Sequence, residues 1–303
     1  MGLDSHFATD LSFDTLVEEE PNVPQEARAE LSFELQSRLT ALVDDSHLRP
    51  VFGQSLWLAK GRLSDLMDCG ARILHPQPFT PTLPIAEGMV SEHAVLHDLR
   101  LREPADPDEV VARAVESYLA RADGRRPDPS AQLVASLTDA SRAELQQRVA
   151  ERVRTARELL PSLDVRSTRI STQRDVRVKV GDGRVTLAGI IDLHLVPRTQ
   201  RVPLSAHVEL KTGSGNLTYR LHEPKYYALL EALLLHAPLP QRVGIVNLDT
   251  RDHQVFEVDT GLLREMADDV VTATERYVAL THPDGPQGEV HTCGRDWCGG
   301  CAA

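Results

Sequence analysis

Glu209 and Lys211 stand one residue apart in the run Ser-Ala-His-Val-Glu-Leu-Lys-Thr-Gly. Asp192 lies in the preceding apolar run, Leu-Ala-Gly-Ile-Ile-Asp-Leu-His-Leu-Val. In a β-strand, residues i and i+2 share a face. Glu209 and Lys211 therefore project together, and a neighbouring strand can bring Asp192 beside them. A carboxylate in an apolar strand is costly unless it is paired. Two of them call for a cation, either a basic side chain in a structural ion pair or a hard divalent metal such as Mg²⁺ or Mn²⁺. Two carboxylates, a divalent metal and a lysine suffice for phosphodiester hydrolysis. The metal activates water and neutralises charge on the phosphate, and the lysine orients the water or stabilises the negative transition state.

A second set of chemistry-bearing residues is the cysteines: Cys69, then Cys293-x4-Cys298-x2-Cys301. Clustered cysteines in a reducing compartment favour metal or cluster ligation over disulfides. Four thiolates can hold a [4Fe–4S] cluster, a [2Fe–2S] cluster or zinc. Leu63, Leu66 and Cys69 recur at three-residue spacing, one stripe of a short helix. His93 follows Gly88 by five residues in a helical stretch, where a single histidine is ordinarily a packed or surface residue.

The elements that must carry these groups follow from periodicity. Residues 1–28 are acidic with two prolines and read as a loose arm. A helix is expected over 29–44 and a short strand or turn over 50–58. Residues 76–87 hold four prolines and read as a loop, and a helix opens near Glu87. Asp106-Pro107-Asp108-Glu109 is a helix start with acids in its first turn. Residues 123–129 read as a loop. A long helix over 141–160 carries Arg142, Arg148, Arg152, Arg154 and Arg157, read as a solvated charged face. Strands follow at 168–180 and 184–196, joined by Gly181-Asp182-Gly183, and at 203–211 after a polar loop over 197–202. Pro224 marks the first turn of an apolar helix. Two strands, 242–248 and 253–258, and a helix over 261–279 complete the pattern. The expectation is a mixed α/β fold with an N-terminal helical region. Its divisions are an arm 1–28, a helical region 29–163 with Cys69 and His93, a core 164–281, and a cysteine-rich segment 282–303.

Composition sets limits. Apolar residues are 41 % of 303, enough for a large core. The formal net charge of −12 is opposite to that of a protein coating nucleic acid over its whole surface, though a local basic groove is not excluded. No apolar run reaches membrane-spanning length, and the first residues lack a basic and apolar signal. A cytoplasmic location is therefore expected.

The segments Gly189-Ile190-Ile191-Asp192, Glu209-Leu210-Lys211-Thr212-Gly213 and the helix with Tyr227 together resemble the PD-(D/E)XK nuclease superfamily, and within it the RecB-like branch. Glu223 stands where that family has glutamine in a Gln-x-x-x-Tyr motif, and Ile191 where it has proline. The four cysteines resemble the iron–sulfur subset of these nucleases, which includes AddB-type subunits and CRISPR adaptation nucleases, although the x4 and x2 spacings differ from the usual x2 and x5. The resemblance implies a restriction-endonuclease-like mixed central sheet flanked by helices. It implies Mg²⁺ or Mn²⁺ held by His93, Asp192, Glu209 and the Leu210 carbonyl, with Lys211 positioning water and Glu223 and Tyr227 in support. It also implies a structural [4Fe–4S] cluster on Cys69, Cys293, Cys298 and Cys301, zinc being the other metal four thiolates take. The implied activity is an exodeoxyribonuclease acting on single strands or DNA ends in repair, recombination or anti-phage defence, with DNA and a separate helicase or defence subunit as partners. A non-catalytic DNA-end-binding or scaffolding subunit, or a zinc-stapled interaction module, is the alternative class.

Overall fold

The computed structural model describes residues 22–44, 46, 56–101, 103–123, 125–160, 168–197, 205–295 and 298–301. Most of the acidic arm, the start of the 50–58 stretch and the 197–202 loop lie outside the described residues. The first helix, α1 (Gln25–Asp44), begins within the stretch expected to be loose. Strand β1 (Leu56–Ala59) leads without a break into α2 (Lys60–Asp68), followed by the short α3 (Ala71–Leu74). Four helices come next: α4 (Leu83–Asp98), α5 (Pro107–Leu119), α6 (Pro129–Ala135) and α7 (Asp139–Leu159). The hairpin β2 (Thr168–Val180) and β3 (Val185–Pro197) precedes β4 (Ala206–Lys211), a 3-10 turn at Leu217–Arg220 and α8 (His222–Leu233). β5 (Arg242–Asn247), β6 (His253–Glu257) and α9 (Thr260–Leu280) complete the described elements.

These strands form one mixed six-stranded sheet. β2 runs antiparallel along one edge of β3. The other edge is shared: β1 pairs in parallel with Val185–Ala188, and β4 pairs antiparallel with Leu193–Leu195. Between them the sheet forks, and Gly189 to Asp192 lie in the fork. β5 continues parallel to β4, and β6 antiparallel to β5.

Two apolar layers cover the sheet. α1, α2, α8 and α9 pack with Leu58, Val176, Leu187 and Ile191. Helices α4 to α7 pack with Leu193, Leu195, Val208, Leu210 and Val246. Leu187, Ile191, Leu193 and Leu195 have one parity, yet the first two join one layer and the last two the other. A regular strand keeps one parity on one face, so the alternation is reset at Asp192. There the β2–β3 ladder lacks the pair between Gln173 and Asp192, and Gln173 has a φ of 53°, a backbone region that side chains other than Gly rarely adopt.

The expected N-terminal helical region is present, and its helices pack directly on the sheet: α1 contributes Leu31, Leu35, Leu39 and Val43 to the same cluster as β2 and β3. Arg28 is buried and donates to the carbonyls of Glu231, Ala232, Leu234 and Ala237 at 2.9–3.2 Å. It thereby satisfies the carbonyls that a helix C-terminus leaves free. The arginine face of α7 is solvated only in part: Arg148 and Arg154 stay partly exposed, while Arg152 and Arg157 turn to buried acids. Arg152 meets Glu87 at 2.7 Å and Asp249 at 2.6 Å, and Arg157 meets Asp98 at 2.7 Å. The acids of α4 and the turn after β5 convert that part of the face into an interface. The segment expected as a loop over 123–129 ends in α6, because Asp128 caps the helix from Ser130 N at 2.9 Å and Pro129 suits its first turn. Among the described residues no helix is long and apolar enough to cross a membrane.

Candidate active site and thiol centre

The fork brings three chain segments to one point. β3 supplies Asp192, β4 supplies Glu209 and Lys211, and Lys60 comes from the first residue of α2, where β1 ends. Asp192 and Glu209 are 5 % and 1 % exposed. Asp192 Oδ2 accepts from Leu210 N at 2.9 Å, which spans the gap where the two strands part. Lys60 and Lys211 both donate to Glu209 Oε1. Glu209 Oε2 is buried with no hydrogen-bond partner among the described residues.

α8 closes the site from above. Tyr227 packs closely on the fork because residue 189 is glycine. A Cβ there would come within 2.5 Å of Tyr227 Cε1. The Tyr226 hydroxyl donates to Leu58 O at 2.5 Å and accepts from Ala188 N at 3.2 Å, holding β1 and β3 together just before they diverge. Glu223 replaces the glutamine of the sequence pattern and sits among cations: Lys211 at 2.9 Å, Lys60 at 3.1 Å and Arg220 at 2.9 Å. Burial opposes its charge, but Lys211 and Lys60 overcome that and hold its pKa well below the carboxylate range. Burial likewise opposes the Lys60 charge, and the Glu209 and Glu223 carboxylates hold its pKa above that of an ordinary lysine.

The two remaining carboxylates behave oppositely. Burial, reinforced by Glu209 and Glu92, pushes the Asp192 pKa well up. Burial and the charge of Glu209 raise that of Glu92. Three acids that disfavour one another's charge, with a buried carboxylate oxygen left over, are a donor set suited to a hard divalent cation.

Glu92 is a site residue that the sequence did not single out. It projects from α4 to the fork and accepts from Gln173 Nε2 on β2. His93, expected among the metal ligands, is turned the other way. Its Nε2 lies 3.4 Å from Ser117 Oγ on α5, and its ring 6.2 Å from that of Tyr118. Successive helical residues differ by about 100° in direction, so Glu92 and His93 cannot both face the fork. Gly88 brings α4 close, since a Cβ there would lie 2.8 Å from Thr212 Oγ1.

Past Lys211 the chain turns at Gly213, whose φ of +89° suits glycine. Gly213 N donates to Asp249 and its carbonyl accepts from Asn247 Nδ2 at 2.8 Å. Asp249 is itself held by Arg152, so the buried ions of α7 fix the end of the strand that carries Lys211. A groove of about 720 Å³ opens here, lined by Glu92, Arg148, Lys211, Thr212 and Arg220. A second cavity of about 500 Å³, lined by Lys60, Tyr219, Arg220, Glu223 and Arg295, opens beside Lys60. Tyr219 is 69 % exposed, and the Arg295 guanidinium lies 5.2 Å from its ring centre.

The four cysteines meet at the far end of α2. Cys69 Sγ lies 3.8 Å from Cys298 Sγ and 3.5 Å from Cys301 Sγ, and Cys293 Sγ lies 3.6 Å from Cys301 Sγ. Among the described residues this is the one group of three or more His, Cys, Asp or Glu whose ligand atoms all lie within 4.8 Å of one another. It can hold a metal ion. Neither Asp192, Glu209 and His93 nor Asp192, Glu209 and Glu92 meet in that way. Arg72 Nε donates to Cys298 Sγ at 3.3 Å and lowers its pKa to about 6.

No family model and no curated protein matches the chain. Two solved structures align over most of it at low similarity. SSO0001 does so at 14 % identity over 79 % of this chain and 84 % of its own, with a TM-score of 0.27. Rai1 of Scheffersomyces stipitis does so at 11 % identity over 85 % and 69 %, with a TM-score of 0.23. Likeness at that level bears neither on the fold nor on the function.

Proposed function

We propose that the protein is a divalent-metal-dependent nuclease that hydrolyses DNA phosphodiester bonds, on single strands or at ends. The observation that carries this reading is the fork itself. Buried Asp192 and Glu209 lie beside a lysine on the same strand face, and one Glu209 oxygen has no hydrogen-bond partner among the described residues. Mg²⁺ or Mn²⁺ held by Asp192, Glu209 and the Leu210 carbonyl, with Glu92 as the helix-borne carboxylate in place of His93, would supply an activated water and screen the phosphate. Lys211 holds the attacking water or faces the developing negative charge. Lys60 offsets Glu223, so that the acid in the glutamine position does not repel the phosphate.

Tyr219 offers an exposed ring to an unpaired base, and Arg295, which Asp68 holds at 2.9 Å, lies beside that ring. Stacking of this kind is what single-strand binding relies on, and it favours single strands over intact duplex. Most of the acidic surface takes no part, so binding depends on the local cations Arg148, Lys211 and Arg220. Incubation of labelled single-stranded and duplex DNA with Mn²⁺ tests the reading. Cleavage is expected to fall at least about 100-fold in Lys211→Ala. Cleavage that survives in Lys211→Ala refutes the site. DNA binding without metal-dependent cleavage in the unaltered protein would point to the end-binding scaffold instead.

A further inference from the structure

We infer that Cys69, Cys293, Cys298 and Cys301 form a closed single-ion tetrathiolate centre, with zinc as its occupant, and do not carry a [4Fe–4S] cluster. Sulfur spacing is the first ground. A tetrahedral ion with metal–sulfur bonds of about 2.3 Å sets its sulfurs about 3.8 Å apart. Three of the six separations here are 3.5, 3.6 and 3.8 Å, and all six lie within 4.8 Å. In a cubane each thiolate binds a different corner iron, which spreads the sulfurs to about 6 Å.

The backbone is the second ground. A Cβ on Gly300 would lie 2.7 Å from Arg72 N and 2.9 Å from the carbonyl carbon of Ala71. The loop bearing Cys298 and Cys301 thus already touches the chain that follows Cys69. Cys69 and Cys298 are 0 % and 2 % exposed. Parting the sulfurs by a further 2–3 Å, the difference between about 6 Å and these separations, would require this backbone contact to open.

Two further features agree. Cys293-x4-Cys298-x2-Cys301 has both spacings within the range of structural zinc sites. Four thiolates around a divalent ion leave a net charge of −2, and Arg72 supplies compensation through Cys298 at 3.3 Å and Cys293 at 3.8 Å. Such outer donors orient and stabilise metal-bound thiolates. With four protein ligands and no open position, the centre is structural, and zinc gives it no redox chemistry.

The test is metal and sulfide analysis of the full chain, expressed in iron-replete medium and purified without oxygen. It does not read cleavage, so its outcome is independent of the nuclease reading. The expected result is about one zinc per chain, no acid-labile sulfide and a colourless protein. Replacement by Co²⁺ is expected to give the intense visible spectrum of a tetrahedral thiolate site. Iron and sulfide in equal amounts with brown absorption would overturn the inference, and one iron without sulfide would overturn the choice of zinc. Cys298→Ser is expected to lose the ion, and because it can fail to fold, Arg72→Gln is the second variant. That variant keeps four thiols and is expected to release zinc to a chelator about tenfold faster. An unchanged release rate would overturn the role given to Arg72.

Discussion

The fork and the thiol centre sit at opposite ends of one helix of nine residues, α2, which spans about 13 Å. Lys60 begins it among carboxylates, and Cys69 follows its last residue among thiols. The two regions solve different problems. At the fork, like charges are forced together and neutralised imperfectly, so the arrangement is costly on its own and useful to a substrate. At the thiol centre, groups 229 residues apart are drawn together with no open position, so an ion there secures the fold. Catalytic capacity and stability should therefore separate on mutation.

The sharpest break is Asp192→Asn. It is expected to reduce metal-dependent cleavage by at least about 100-fold while leaving the melting temperature equal or higher, since it relieves repulsion among Asp192, Glu209 and Glu92. A large loss of stability would erase the contrast. Cys298→Ser is the mirror case. A loss of about 3 kcal/mol or more is expected in denaturant unfolding, with cleavage per folded molecule little changed.

Gly189→Ala tests whether the two regions can be coupled through α8. The added methyl meets Tyr227, an overpacking expected to cost about 1–3 kcal/mol and to lower cleavage as Tyr227 and Lys60 are displaced. Lys60→Met leaves Glu209 and Glu223 one cation short, and roughly tenfold slower cleavage is expected in a kinetic assay. His93→Ala should matter least. Because the ring faces α5, the Mn²⁺ concentration giving half-maximal cleavage is expected to move by less than about twofold. A larger shift would return His93 to the ligand set.

Much of the fork could be read from the chain before folding. Asp192, Glu209 and Lys211 lie in strands, where side-chain direction follows from a period of two, and an acid in an apolar run stands out. Lys60 and Glu92 could not be read. Both are charged residues on helices, and only close approach makes them part of the site: Gly88 against Thr212, and β1 ending beside the fork. The same limit explains the partly misread face of α7. Its arginines look solvated in sequence because their acids, Glu87, Asp98 and Asp249, lie 59 to 97 residues away. His93 and Glu92 are adjacent in sequence, and a single step of helix rotation sets His93 against α5 while Glu92 reaches Gln173 on β2. The four cysteines were visible by count, while their single-ion spacing became visible through the backbone contact at Gly300.

The shared edge of β3 also orders events during synthesis. β1 is made well over a hundred residues before the strand it pairs with, so α2 waits with Lys60 and Cys69 both unpartnered. Once Lys211 has emerged from the ribosome, the fork can assemble. Cys293 follows 82 residues later, roughly 4–16 s at ordinary elongation rates. For that interval the nascent chain can bring its carboxylates together while only one of the four thiols has been made, so any ion taken up by the four thiols arrives after the fork can form.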